Sequence, residues 1–296
     1  KMRRVKVLTL DGGGIRGIIP LVVLTRLEEI IHEKEKERGI YNEECPTYII
    51  QKIDVISGTS TGGIIALLLT MPDPNHPHRP KYRPSDILRM YIERGHKIFS
   101  TNVFRKMVSW RGLFKPMYSS QGLEKIAHGH FGDVMLSECV RNVVITGFEI
   151  ESFQPILFKS SRAKRSKRHD YKCKDVARAT SAAPTYFRPA HISNAMDESM
   201  YVIDGGLVAN NPSMSALVEA GRLFPGFSKN RLVISLGTGH ARNSLRYSDM
   251  KNSGLIGWVS KLFTIMMGGA ATAVHEQLEI LLEQDIQIDH FRPNYY

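Results

Sequence analysis

Apolar residues along this chain change period abruptly, and the changes mark its elements. Val5, Val7, Leu8 and Leu10 form a short run that predicts a strand over Val5–Leu10. The run stops at Asp11-Gly12-Gly13-Gly14. Beyond Gly17 the spacing lengthens to three and four residues, with Ile19, Val22, Val23, Leu27, Ile30 and Ile31 on one broad helical face. The distal half of that helix, Glu28 to Arg38, is charged and predicts solvent exposure. Asp54 to Ser57 reads as a second strand, followed at once by the tight stretch Gly58 to Gly63 and the apolar run Ile64 to Leu69. Strand, sharp turn and helix thus occur twice within the first seventy residues, an alternation that predicts an α/β sheet.

The later pattern is more broken. Met71 to Pro84 holds five prolines and two histidines and predicts a loop, and Ser85-Asp86 opens a helix to about Phe99. Residues 100–118 read as irregular, basic and aromatic, with a short helix after Ser119-Ser120. Val143 to Ile150 and Pro155 to Phe158 read as strands, and Lys174 to Ala183 as a helix stopped by Pro184. Met200 to Ile203 is a strand running into Asp204-Gly205-Gly206. Pro212 suits a helix start, that helix reaches about Phe224, and Leu232 to Leu236 is a further strand. Gly254 to Ala273 is a twenty-residue stretch with Lys261 as its only charge. A central lysine and the pair Gly268-Gly269 both disfavour a membrane span, so a buried or interfacial pair of helices is expected. No repeat or linker divides the chain, so residues 1–296 read as one domain, with motifs over about 5–240 and a helical part over about 250–296.

Composition narrows the class. With 42% hydrophobic and 23% charged residues the chain is globular. Cys45, Cys139 and Cys173 have neither disulfide-framework nor zinc-site spacing. No leader pattern opens the chain, which predicts a cytoplasmic protein that meets membranes peripherally. The net charge of +11 would attract nucleic acid, anionic membrane or acidic substrates alike. Part of it lies between Lys159 and Lys174, where Lys164, Arg165, Lys167 and Arg168 form a basic segment. A solvated charged face is the plain reading. Anionic lipid headgroups are the functional one, since no aromatics interleave with these charges as nucleic-acid stacking would need.

The chemistry concentrates in three turns. Gly58-Thr59-Ser60-Thr61-Gly62 has the Gly-x-Ser-x-Gly form of a nucleophile elbow, in which a strained strand-to-helix turn exposes a serine hydroxyl. Gly12, Gly13 and Gly14 can aim backbone amides at an oxyanion, with Arg16 bracing the loop or meeting a phosphate. Asp204, with Gly205 and Gly206 behind it, offers a carboxylate at a strand end. A free aspartate is a weak base, so burial or alignment has to compensate. Each turn alone could serve backbone geometry only. His76 and His78 have metal-like spacing without an acidic partner and read as solvent-exposed, so no metal or other cofactor is expected. His240 or His275 could complete a Ser-Asp-His order.

Taken in order, Leu10-Asp11-Gly12-Gly13-Gly14-Ile15-Arg16-Gly17, Gly58 to Gly63, Ala179-Thr180-Ser181-Ala182-Ala183-Pro184, Asp204-Gly205-Gly206 to Asn210-Asn211-Pro212-Ser213, and Ser235-Leu236-Gly237-Thr238-Gly239 resemble the motifs of the patatin-like phospholipases. The resemblance implies a three-layer α/β/α sandwich with a mostly parallel central sheet. It implies a Ser60–Asp204 dyad without histidine and an oxyanion loop at Gly12 to Gly14. The implied reaction is calcium-independent hydrolysis of phospholipid or galactolipid esters through an acyl-serine. Whether an activator is required, and the oligomeric state, stay open. Two rivals stand beside it: a lipid-binding or storage protein of the same fold, and an actin-like sugar kinase or ATPase whose phosphate loops would be Asp11 to Gly14 and Asp204 to Gly206.

Overall fold

The computed structural model describes residues 4–98, 129–227, 230–239, 247–251, 254–283 and 288–292. Residues 100–118, the helix expected after Ser119-Ser120, and His240 lie outside the described residues. Strand β1 (Val5–Leu10) leads through a 3-10 turn into helix α1 (Ile18–Glu37), and β2 (Val55–Gly58) leads directly into α2 (Thr61–Thr70). A hairpin, β3 (Pro72–Asp73) and β4 (His76–Pro80), precedes α3 (Pro84–Ile98). Then come β5 (Asn142–Glu149), β6 (Gln154–Lys159), α4 (Cys173–Thr180), β7 (Ala190–Ser193) and β8 (Ser199–Asp204). Helix α5 (Ser213–Leu223), β9 (Arg231–Leu236), helix α6 (Leu255–Glu283) and β10 (Ile288–Phe291) complete the described strands and longer helices.

The central sheet runs β10-β9-β1-β2-β5-β8-β7, with β6 also on β5. Strands β10, β9, β1, β2 and β5 are parallel to one another, while β6 and β8 run against β5 and β7 against β8. Parallel strands must be covered on both faces. Leu8, Leu10, Ile56 and Ile145 pack with α1, α2 and α4 on one face through Leu21, Leu24, Ile65, Val176 and Ala177. Val5, Val7, Val55, Val144 and Val233 pack with α5 and α6 on the other through Ala216, Ala220 and Leu278. The result is an α/β sheet between two helical layers.

One feature of this sheet positions the chemistry. β5 pairs through residues 142–145 with β2 and through 147–149 with β8, while β6 takes the opposite edge over 144–149. β2 and β8 therefore share one edge of β5 end to end. They run in opposite directions, so their C-terminal ends, Gly58 opposite Ile145 and Asp204 opposite Gly147, converge on Thr146.

Three expectations are corrected. The proline-rich stretch is a two-stranded hairpin rather than a loop, with prolines on edge strands where a missing N–H breaks no ladder. Gly254 to Ala273 does not hold two helices. Leu255–Glu283 is continuous through Gly268-Gly269, because its inner face is anchored by buried Ala271 and Leu278 and two glycines cost only about 2 kcal/mol. The C-terminal part is not wholly helical either, since β10 joins the sheet beside β9. Among the described residues, no helix is long and apolar enough to cross a membrane.

Candidate active site

Ser60 occupies the step between β2 and α2 with φ 54° and ψ −122°, a left-handed conformation rare outside glycine. Such strain persists only when its surroundings fix it. Here they do: the Ser60 amide donates to Thr180 Oγ1 at 2.9 Å, and its carbonyl accepts from the Ile64 amide at 3.0 Å. The flanking glycines are a packing requirement. A side chain at Gly58 would overlap the Gly62 backbone, and one at Gly62 would overlap the carbonyls of Leu10 and Asp11. The elbow thus wedges against the end of β1, which brings Ser60 to the glycine loop.

Thr146 joins the two converging strand ends. Thr59 Oγ1 lies 2.8 Å from Thr146 Oγ1 and donates to the Ala209 carbonyl at 2.6 Å, while Gly205 packs against Thr146 too closely for any side chain. Asp204 is almost wholly buried, at 1% exposure. Its Oδ1 accepts the Gly206 amide at 2.7 Å, and its Oδ2 is buried with no hydrogen bond to any described residue. Burial pushes the carboxyl up to about 6; the Gly206 amide and the nearby Ser60 hydroxyl pull it partway back. The proton affinity of this aspartate is therefore well above that of a free one, and the Ser60 hydroxyl lies close enough to act on it.

The glycine loop is held at its first residue. The Gly12 amide donates to the Asn210 carbonyl at 3.2 Å, so it is already engaged, and the Gly12 carbonyl accepts from Thr238 Oγ1 at 2.8 Å. Those two bonds fix the first residue of the loop. Gly12 itself lies hard against Ser60: a Cβ built there would be 3.3 Å from Ser60 Cβ. Arg16 braces the loop, its Nη1 donating to the Gly239 carbonyl at 3.1 Å.

Sequence reasoning missed three contributors. Asp11 is buried and ion-paired to Arg292, which also donates to Ser235 Oγ at 2.6 Å; a residue near the far end of the chain thereby pins the start of the loop. Asn210 turns its side chain between Gly12 and Gly206. Met267, from α6, lays its methyl 3.4 Å from a Cβ built on Gly12 and 2.5 Å from one built on Gly206, so it lies over both glycines. Arg292 and Met267 had no local signal, because each reaches the site across a long sequence separation, whereas Asp11 and Asn210 stand inside motifs that do not by themselves declare these contacts.

Other candidates lie elsewhere. His275 faces Glu279 one turn along its own helix at 3.3 Å, and His76 and His78 are exposed on β4. The basic segment is ordered, with a short helix over Ser160–Ala163 and a 3-10 turn over Lys167–His169. Lys164 donates to the Cys139 carbonyl just ahead of β5, at the opposite end of the parallel strands from Ser60. Arg168 forks onto Glu198 in the β7–β8 turn, and Arg165 and Lys167 are exposed. The structure does not bring these four residues to the site.

The model of the patatin-like phospholipase family matches residues 8–217. Patatin-like protein 2 of Arabidopsis thaliana is 35% identical over 279 residues, covering 86% of this chain and 65% of that protein. Patatin-like protein 3 of the same organism is 33% identical over 311 residues, covering 93% and 69%. A Solanum tuberosum protein named probable inactive patatin-3-Kuras 1 is 30% identical over 276 residues, covering 88% of this chain and 70% of that one. The chain spans about two thirds of the length of these relatives.

Proposed function

From the premise that the chain belongs to the patatin-like phospholipase family, we propose that it is a lipid acyl hydrolase working through a Ser60–Asp204 dyad. The observation that carries the reading is the end-to-end meeting of β2 and β8 on one edge of β5. It sets a strained serine beside a buried carboxylate whose affinity for protons is raised.

The reaction runs in two halves. Asp204 accepts the Ser60 hydroxyl proton as the serine oxygen bonds to the ester carbonyl carbon, and the negative charge on the carbonyl oxygen is met by the Gly13 and Gly14 amides. Collapse breaks the ester bond, and protonated Asp204 returns its proton to the leaving alcohol. Water, deprotonated by the same carboxylate, then attacks the acyl-serine; the acyl–Oγ bond breaks, the fatty acid leaves, and Asp204 returns the proton to the Ser60 oxygen. No step calls for calcium. The substrate class is a phospholipid or galactolipid ester. Membership of this family leaves the kinase rival without support, and the adjacency of Ser60 to the first glycine loop gives that loop a role besides phosphate binding.

Labelling with a fluorophosphonate followed by mass spectrometry tests the assignment. Modification should fall on the peptide carrying Ser60, disappear in Ser60→Ala, and accompany cleavage of p-nitrophenyl butyrate in the presence of EDTA. Labelling elsewhere, or undiminished hydrolysis by Ser60→Ala, would remove the proposal. A folded chain that binds lipid but neither labels nor turns over would favour the storage reading instead.

A further inference from the structure

Helix α6 is apolar on both sides where it crosses the site. Its inner face holds Met267 over Gly12 and Gly206 and buries Ala271 and Leu278. Its outer face carries Trp258, Leu262, Ile265 and Met266, all between 36% and 47% exposed. Those positions fall at i, i+4, i+7 and i+8, a single helical stripe. A helix that is apolar all round belongs to a core or a membrane, yet this one does not span a bilayer by the length and hydropathy of its described residues. Farther along, the same outer face carries exposed Glu276, Gln277 and Glu279 around exposed Ile280. One end of the exposed stripe is therefore uniformly apolar, with exposed Lys261 beside it, and the other end is mixed and acidic.

That division matches a helix lying in a lipid–water interface with its apolar end inserted and its acidic end withdrawn. The apolar end is the part that lies over the site, since Met267 belongs to the same helical turn as Ile265 and Met266. We propose that the outer face of α6, through Trp258, Leu262, Ile265 and Met266, docks the enzyme on a phospholipid surface and sets the mouth of the site against the lipid. The inference rests on the acyl-hydrolase reading only for its purpose; the docking itself is measured without turnover.

The chain contains two tryptophans, Trp110 and Trp258, so Trp110→Phe leaves Trp258 as the reporter. Adding phosphatidylcholine–phosphatidylglycerol vesicles to that full-length variant should shift Trp258 emission to the blue. Leu262→Ser with Ile265→Ser should weaken vesicle affinity about tenfold, as expected from losing two inserted aliphatic side chains, while thermal unfolding confirms that the exposed changes leave the protein folded. Absence of the shift, or undiminished affinity in the double variant, overturns the proposal. So does a shift that follows protein concentration without vesicles, which would assign the face to a second copy of the chain. Hydrolysis of monomeric p-nitrophenyl butyrate reads the dyad separately: its failure beside intact docking counts against the catalytic reading alone, and intact hydrolysis beside failed docking counts against this one alone.

Discussion

Replacing Asp204 by asparagine should abolish hydrolysis and, at neutral pH, stabilise the fold. The carboxyl titrates at about 6 in the folded chain against 3.8 for its ordinary value. Because the folded value is the higher one, its favourable contribution is complete below 3.8, declines as pH rises, and is gone above about 6. A gap of about two pK units corresponds to roughly 3 kcal/mol of stability removed at pH 8. About half of that is already lost at pH 5 by the same relation. Asparagine cannot ionise, so its advantage over the wild type should widen by roughly 1.5 kcal/mol between pH 5 and pH 8. That is about 3–6 °C in melting temperature for a chain of this size. Any fixed packing difference between the two side chains cancels in this comparison. Paired calorimetric melts at the two pH values read it directly. The activity of the wild type supplies the second half: at pH 5 only about a tenth of the carboxyl is ionised, so kcat/KM on a soluble ester should be about a tenth of its plateau. A melting difference that does not change with pH, together with a flat rate profile from pH 5 to 7, would refute the argument that burial tunes this group.

Glu219→Gln should destabilise the chain by about 3–5 kcal/mol, because it strands the nearly buried Lys159, which Glu219 holds at 2.8 Å. Burial would raise the Glu219 carboxyl, but bonds from Arg222, Lys159 and Ser161 outweigh it and hold the group at about 2. The pair's stability is therefore fully present above about 4.5 and is lost progressively as pH falls from there through about 2; Lys159→Met with Glu219→Leu should recover most of the loss in urea melts. Neutralising Lys164, Arg165 and Lys167 should alter vesicle affinity less than the Leu262 and Ile265 changes do, even at low salt where surface charge acts furthest. An equal or larger loss in sedimentation assays would show that the basic segment faces the membrane.

The parts of the site that were legible in the sequence are those whose requirements are local. Gly58 and Gly62 are small because the backbone of the elbow crowds itself and the end of β1, and a strand followed at once by a helix declares that turn. Asp204 could be recognised as a carboxylate at a strand end, but its meeting with Ser60 depends on β8 running against β5 along the part of their shared edge that β2 leaves free. Pairing of that kind has no sequence period. The same holds for β7 and β10, four residues each, whose strand character comes from neighbours rather than from propensity. Gly268-Gly269 misled for the opposite reason: a local penalty was overridden by tertiary packing. Arg292 reaches Asp11 across 281 positions, a contact that only the closed sheet creates.

The raised pKa of Asp204 and the covering helix are one arrangement seen from two sides. Gly206, whose built Cβ would lie 3.1 Å from Asp204 Oδ1 and 2.5 Å from the Met267 methyl, has no side chain to separate them, so the thioether forms part of the apolar shell that desolvates the carboxylate. Desolvation is the largest contribution to the upward shift. Met267→Ala should admit water beside Oδ1 and favour the charged form, moving the midpoint of the rate profile below 6 toward the ordinary aspartate value. The plateau rate should then fall as well, since a more acidic carboxyl is a weaker base. If the midpoint stays at about 6 in that variant, the sheet alone keeps Asp204 dry, and α6 contributes cover without tuning the base beneath it.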